Sequence, residues 1–453
     1  MLKIFDANRD RELLNDFISN LSIRTFNQGN DVAETVASII ENVKENGDKA
    51  VIEYTRKFDC PLYTEEDMQV KEEEISKAYD MIDRELLGVI RRAKSNIEKF
   101  HVSQVEKSWF SAGEDGTILG QMINPIEVVG VYVPGGTAPL ISSVLMNIVP
   151  AKVAGVRKII MATPPDKNGK VNPAILVAAR EAGADEIYRI GGAQAIAAMA
   201  FGTGTVPKVD KIAGPGNIYV STAKRLVYGY CDIDMFAGPS EITVIADETA
   251  KPEFVAADLL SQAEHDALAS AILITVVPEM AEKVKKEVER QYLQLERKDI
   301  IKRALDEYGA IIIAENIEQA VFLANRIAPE HLELCVKEPF GLLGYIKNAG
   351  AVFLGNYSSE PAGDYYAGPS HVLPTTGTAR FFSPLNVSDF LKKTSVISYS
   401  RQALHRDKDD IIRFAEAEKL SAHANAIRVR FGGSKDREEK FGKDKDSGGD
   451  ENI

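Results

Sequence analysis

From Ile126 onward the chain repeats one local pattern: a short β-branched run ends in glycine or proline and gives way to a helical stretch. "IEVVGVYVPGG", "KIIMATPP", "EIYRIGG", "KIAGPGN" and "FAGPSEITVIAD" all belong to it. Parallel strands cannot be joined by a tight hairpin, so strands alternating with helices predict βαβ units and a parallel sheet. A second series, "AILITVVP", "GAIIIAEN" and "GAVFLGN", is separated by helical patterns over 279–298 and 316–327. Two α/β modules are therefore expected.

The flanking sequence differs. Residues 31–104 are rich in charge, as in "KEEEISKAYDMIDRELLGVIRRAKSNIEKF", with apolar side chains recurring at three and four, which predicts amphipathic helices. Beyond Phe390 the pattern is helical again through "DKDDIIRFAEAEKLSAHANAIRVRF". The closing "GGSKDREEKFGKDKDSGGDENI" mixes both charges with glycine and almost no apolar side chains, so 434–453 is expected to stay disordered.

Composition excludes several classes of function. The formal charge is -13 and no basic run is long enough to grip a polyanion, so no nucleic-acid partner is expected. No apolar stretch reaches the length that crosses a bilayer, and charged residues interrupt the first residues where a signal peptide would be apolar. Cys60, Cys231 and Cys335 are widely spaced and odd in number, which fits reduced thiols. A cytoplasmic protein without a membrane partner is expected.

Six histidines are present, and His101 and His405 lie in charged helix-like sequence. In "SQAEHD", Gln262 and His265 stand three apart, which would put them on one helical face where an amide oxygen and a ring nitrogen converge on a cation. A polar, solvated helix face is the competing reading. Glutamine is a weak neutral ligand, so a zinc-like site would also need a carboxylate and another imidazole; Asp364 and His423 are candidates.

"IAPEHLEL" places Glu330 beside His331 after a proline expected to open a helix or turn. The pair is either a helix-start carboxylate with a surface histidine, or a proton-transfer unit in which the carboxylate orients the ring or polarises water. Cys335 is read as a buried residue of "LELCV", not a nucleophile. The turns "VPGGTAPL", "RIGGAQA", "AGPGNIY" and "FAGPSE" are placed at strand ends, where open α/β sheets bind ligands, yet none completes GxGxxG. A nucleotide cradle would then use helix starts near Gln194 and Asn217. Tyr132 either packs against a nucleotide ring or fills the core.

Eight blocks in order resemble the histidinol dehydrogenase family: "VGVYVPGGTAPLISSVLMNIVPAKVAGV", "RIGGAQAIAAMAFGT", "DKIAGPGNIYV", "GPSEITVIAD", "LLSQAEHD", "APEHLEL", "GDYYAGPSHVLPTTGTARFFSPL" and "AEKLSAHANA". The resemblance runs from about Asp31 to Arg430. It implies two related, incomplete Rossmann-like modules with parallel sheets, an N-terminal helical arm and a C-terminal helical tail. The implied boundaries are 1–27 for the arm, 28–131 with 246–385 for one α/β domain, 132–245 for the other, and 386–433 for the C-terminal helical segment.

Position by position, the resemblance implies one zinc ion per subunit held by Gln262, His265, Asp364 and His423. It implies Glu330 and His331 as the catalytic pair. Ser240, His371 and Glu418, with His331 and the zinc ligands, match substrate-contacting positions, and Tyr132, Gln194 and Asn217 match NAD-contacting ones. It further implies a homodimer that exchanges C-terminal segments, so that Glu418 and His423 serve the partner's site.

The implied reaction is oxidation of L-histidinol to L-histidine by two NAD molecules through an enzyme-held aldehyde. His331 would act as a neutral imidazole base near pH 7 to 9, and Glu330 would activate the water that hydrates the aldehyde. Three alternatives stay open on the residues alone: a related zinc dehydrogenase for another polar alcohol, a zinc hydrolase, and a non-catalytic zinc cross-link.

Overall fold

The computed structural model describes residues 2–24, 30–135, 139–236 and 238–432. The tail expected to be disordered, 434–453, and residues 136–138 of the first Gly-Gly turn lie outside the described residues. The chain divides into two compact units, Met1–Val105 with Pro125–Leu391, and Glu106–Asn124 with Lys392–Ile453.

In chain order the strands are β1 (Lys3–Asp6), β2 (Trp109–Ala112), β3 (Ile118–Pro125), β4 (Val128–Tyr132), β5 (Lys158–Ala162), β6 (Glu186–Tyr188), β7 (Lys211–Ala213) and β8 (Asp232–Ile233). They continue with β9 (Glu241–Ala246), β10 (Ser270–Thr275), β11 (Gly309–Ile313), β12 (His331–Cys335), β13 (Ala351–Leu354) and β14 (Leu391–Ser398).

The first unit holds two parallel sheets. One runs β6-β5-β4-β7-β8 and the other β1-β11-β10-β9-β12-β13. With β1 set aside, each module lays its strands in the same order: third, second, first, fourth, fifth. The chain starts in the middle of the sheet, builds outward on one side, then crosses back. The reversal leaves a crevice between β4 and β7 in one module and between β9 and β12 in the other.

Burial explains why these strands read as near-continuous apolar runs: helices cover both faces of each sheet, so alternate side chains enter different cores. In β9, Ile242, Val244 and Ala246 pack into one cluster while Ile245 points into another. Val129 and Val131 of β4 do the same opposite Tyr132. Each fully buried Val or Ile contributes about 1.5–3 kcal/mol.

Three expectations change. Residues 1–27 are not only helical: "KIFD" forms β1 and pairs with Ala310–Ile313, and the helix Arg11–Ile23 follows. Four residues are too few to show a two-residue period, so the strand is set by its partner and not by its own pattern. The boundaries expected at 131/132 and 245/246 cut through β4 and β9; sheet membership follows whole strands, and glycine turns mark strand ends. The segment 386–433 opens with β14 before its helices Arg401–Ala417 and Ser421–Arg428.

In the second unit β2 and β3 pair antiparallel, with β3 next to β14. Ser400 caps the helix that follows, its Oγ accepting the Ala403 N–H at 3.0 Å and donating to the Asp115 carbonyl at 2.6 Å. Among the described residues, no helix is long and apolar enough to cross a membrane.

Candidate active site

Glu241 opens β9 and His331 opens β12, and the two strands are direct neighbours. Of the helix or turn expected at the proline of "APEHLEL", no helix forms there. Ala328, in the left-handed conformation at φ 53°, ends the helix Ile317–Ile327, and the chain then turns straight into β12. Glu330 and His331 thus reach the amino edge of the sheet, the opposite edge from the usual ligand crevice.

Both are buried, at 7% and 2% exposure. The main chain of Glu241 holds them: its N–H donates to Glu330 Oε2 at 2.9 Å, and His331 Nδ1 lies 3.0 Å from its carbonyl oxygen. A carbonyl only accepts, so Nδ1 carries the proton and Nε2 becomes the exchanging nitrogen. Nε2 faces Asp364 Oδ1 at 3.4 Å, and Nδ1 is 3.6 Å from Glu330 Oε2.

This setting moves both groups from their ordinary values. Burial pushes Glu330 up to about 8, against the pull of His331. Burial alone would lower His331, but Glu330, Asp364 and Glu360 outweigh it and raise the imidazole to about 10. Two buried carboxyl groups, Glu330 and Glu360, and the half-buried Asp364 around one ring favour its cation.

Asp364 lies on the turn Gly363–Ala367, just past the short helix Glu360–Ala362. Burial would raise it, but the hydrogen bond and charge of His331 leave it below the ordinary carboxylate range. His331, Glu360 and Asp364 offer ligand atoms within 4.8 Å of one another. Glu360, 2% exposed, is raised to about 8 by burial and by Asp364.

Gln262 ends the helix Pro252–Ala263 and is fully buried, yet neither its Oε1 nor its Nε2 meets a hydrogen-bond partner. Such an amide costs about 1–3 kcal/mol unless something else satisfies it. It follows Ser261, whose hydroxyl lies 3.1 Å from Glu360 Oε2. His265 does not share a helical face with it, because the helix stops at Ala263. His265 stands on the next turn, where its N–H returns to the Gln262 carbonyl at 3.2 Å and Asp266 Oδ1 accepts the Leu268 N–H at 2.8 Å. The aspartate turn outcompetes another helical turn.

His265 is exposed but crowded enough that burial lowers its pKa, while Asp364 pulls it up. His371 is half-buried, feels Asp364, His331 and His265, and places Nε2 3.1 Å from Ser142 Oγ. Ser142 starts the helix that follows β4, so His371 reaches from one module to the other. Ser240, half-buried, immediately precedes Glu241, and its carbonyl accepts the Ser270 N–H at 3.0 Å.

The first unit thus brings together Gln262, His265, Glu330, His331, Asp364 and His371. Glu418 and His423 belong to the second unit, where both are exposed, one capping the helix Arg401–Ala417 and the other on Ser421–Arg428. Glu241, Glu333, Glu360 and Asp258 were missed by sequence reading.

In the other module the carboxyl edge carries the remaining positions. Tyr132 ends β4, and Asn217 follows β7 and caps the helix Ile218–Val227, its side chain accepting the Tyr219 and Val220 N–H groups. These two straddle the crevice between β4 and β7. Tyr132 is 3% exposed and its hydroxyl accepts the Gly192 N–H at 3.1 Å, while burial pushes the phenol up to about 12. Gly192 has φ +61°, the left-handed region that glycine enters without strain, and Gln194 lies buried two residues on with its Nε2 unpartnered.

Comparison with known proteins covers nearly the whole chain. The histidinol dehydrogenase family model matches residues 23–431. A histidinol dehydrogenase of Caldanaerobacter subterraneus is 56% identical over 95% of this chain and 99% of its own. One from Clostridium acetobutylicum is 55% identical over 92% and 96%. The crystal structure of histidinol dehydrogenase from Elizabethkingia anophelis superposes with a TM-score of 0.88 at 43% identity, covering 95% of this chain and 97% of that one. Sequence and architecture agree across both modules, and the chain belongs to the histidinol dehydrogenase family of oxidoreductases.

Proposed function

We propose that this enzyme oxidises L-histidinol to L-histidine in two successive steps, with NAD as hydride acceptor and zinc as resident metal. The fully buried, unpartnered amide of Gln262 carries the metal assignment. A neutral oxygen there, the exposed His265 and the anionic Asp364 make a mixed nitrogen and oxygen donor set that suits zinc. When bound, zinc held by these residues would supply positive charge and a fixed point that orients the substrate.

The rest is the work of side chains. His331 accepts the hydroxyl proton at Nε2, the nitrogen left free by the Glu241 carbonyl. Glu330, Asp364 and Glu360 hold the imidazole near 10, so its proton-accepting form grows with alkalinity. Glu330, raised to about 8, exchanges protons near neutrality and takes one from the water that adds to the aldehyde. Once His331 has released its first proton to solvent, the gem-diol gives its hydroxyl proton to the free Nε2 as the second hydride leaves for a second NAD. The water oxygen ends in the carboxylate.

Ser240, His371 and Glu418 hold the substrate's polar atoms, and Tyr132, Gln194 and Asn217 form the NAD site at the carboxyl edge of the other sheet. The protein acts as a homodimer in the cytoplasm. Glu418 and His423, exposed on a separate unit, are presented to the partner's site, where His423 is the fourth zinc ligand.

The test is NADH formation with L-histidinol, before and after chelation, with histidine quantified in parallel. Two NADH per histidine, lost on chelation and restored by zinc, is expected. One NADH per product, activity confined to another alcohol, or hydrolysis without NAD would each replace this reading with a different one.

A further inference from the structure

We propose that Glu333, through its contacts with Asp258 and Glu360, is a positioning residue that braces the three elements carrying the metal and catalytic side chains. The proposal rests on the zinc- and NAD-dependent reading above. Glu333 is the central residue of β12, a strand buried over its whole length, and is itself 1% exposed. A carboxyl group in that position needs a reason to be tolerated.

Its two oxygens face different elements. Oε1 accepts the N–H of Glu360 at 2.9 Å, fixing the start of the turn that carries Asp364. No N–H or hydroxyl donor reaches Oε2, and the group it meets is the carboxyl of Asp258, on the helix that ends in Gln262. Two carboxyl oxygens in contact with no other donor require a shared proton. Burial pushes both carboxyl groups above their ordinary values, so the pair holds one proton between them and Glu333 stays bonded to Asp258.

The result is one continuous tie. Asp258 belongs to the helix of Gln262, Glu333 to the strand of His331, and Glu360 to the turn of Asp364, with Glu360 bonded onward to the Asp364 carboxylate. Ser261 adds a parallel link, its Oγ lying 2.8 Å from the Asp258 carbonyl oxygen and 3.1 Å from Glu360 Oε2. Small misplacement of reacting groups costs large factors in rate, so a brace of this kind acts through geometry and not by touching substrate.

The experiment compares Glu333→Gln with Glu333→Leu in the full chain. Glutamine keeps both links, its oxygen accepting the Glu360 N–H and its amide donating to Asp258; leucine keeps neither. Hydrogen exchange of the 358–366 segment should quicken at least tenfold in Glu333→Leu and less than twofold in Glu333→Gln. The kcat with L-histidinol should fall at least tenfold in the first and less than threefold in the second, with KM for NAD unchanged in both. If Glu333→Leu does not fold, Asp258→Leu, on a half-buried helix position, removes the Asp258 link alone and is read by kcat, which should fall with KM for NAD unchanged; an unchanged kcat overturns the proposal. Unchanged exchange or unchanged kcat in the leucine variant, or equal losses in both variants, overturns the proposal. A wild-type chain that does not oxidise histidinol defeats the functional reading alone, since the exchange arm still decides the brace.

Discussion

Glu330 and His331 are both gripped by the main chain of one residue, Glu241, which gives its N–H to the carboxylate at 2.9 Å and its carbonyl to the imidazole at 3.0 Å. Adjacent parallel strands make this possible, because their register sets His331 opposite Ile242. The proposed catalytic pair is positioned by sheet geometry, and the tautomer of His331 follows from it. Glu330→Gln keeps the acceptor for the Glu241 N–H but cannot take a proton from water. Oxidation of histidinal should fall by about 10²–10⁴, the range of a lost general base, while the first step on histidinol falls far less. Following the two oxidations separately in this variant checks the assignment, and equal losses would sink it.

The same glutamate carries a buried ion pair. Arg24 donates to Glu241 Oε1 at 2.7 Å with both side chains nearly sealed from solvent. Burial alone would push the carboxyl strongly up, and the arginine charge opposes it. Arg24→Met leaves the carboxylate without its partner, which should cost about 3–5 kcal/mol. Uptake of a proton by Glu241 relieves the strain, so the loss measured by denaturant should be larger at pH 8 than at pH 5. A pH-independent loss would contradict the pairing.

Much of the architecture is visible in the sequence because its causes are local. Turn glycines and β-branched runs announce β4 to β7, β9 to β11 and β13, and eight ordered blocks announce the family. What escapes are residues whose meaning depends on a distant partner. Glu333 in "HLELC" reads as an alternating position, but parallel strands are covered on both faces, so all five residues are buried. Nothing in "GPSEITV" shows that the main chain of Glu241 will hold two side chains from a strand far along the chain. The helix ends between Gln262 and His265, so the shared helical face that their spacing suggests does not form.

A third prediction concerns Asp59, which caps the helix Asp48–Phe58. Burial raises it from 3.8 to about 6, and its Oδ2 has no hydrogen-bond partner. A carboxyl raised on folding keeps its proton longer in the folded state, so its contribution is present below the unfolded value and lost as pH climbs from about 4 to about 6. Asp59→Asn should therefore match the wild type near pH 4 and be more stable at pH 7. Midpoints of denaturation at the two pH values test this, and a variant less stable at pH 7 would reverse the sign.

Tyr132 makes the NAD-site proposal testable away from the metal. Its hydroxyl accepts the Gly192 N–H at 3.1 Å, which ties the end of β4 to the glycine turn before Gln194. Tyr132→Phe leaves that N–H without an acceptor in a buried setting, a cost of about 1–3 kcal/mol. Loosening the turn should raise KM for NAD roughly three- to tenfold while kcat changes less than twofold, since tenfold corresponds to about 1.4 kcal/mol. Steady-state kinetics with NAD varied at saturating histidinol give the answer. An unchanged KM with reduced kcat would move Tyr132 from the NAD site to the core.

The neutrality of Gln262 is the last point that experiment can separate from its position. Its amide is buried with both polar atoms unpartnered, and the hydroxyl of the preceding Ser261 lies 3.1 Å from Glu360 Oε2. Gln262→Glu preserves size but adds another acid to a crowded site. Without metal, burial and like charge favour a protonated glutamic acid and lower the stability of the fold. With zinc, the carboxylate becomes an anionic ligand and should hold the ion at least tenfold more tightly. A ligand that binds only the folded state raises its stability with affinity, by about 4 kcal/mol at a thousandfold excess over the dissociation constant. The zinc-induced rise in melting temperature should therefore exceed that of the wild type, from a lower metal-free starting point, and histidinol should bind more weakly because a better-neutralised cation attracts neutral nitrogen donors less. Equal zinc-induced shifts in the two proteins would show that Gln262 does not contact the metal.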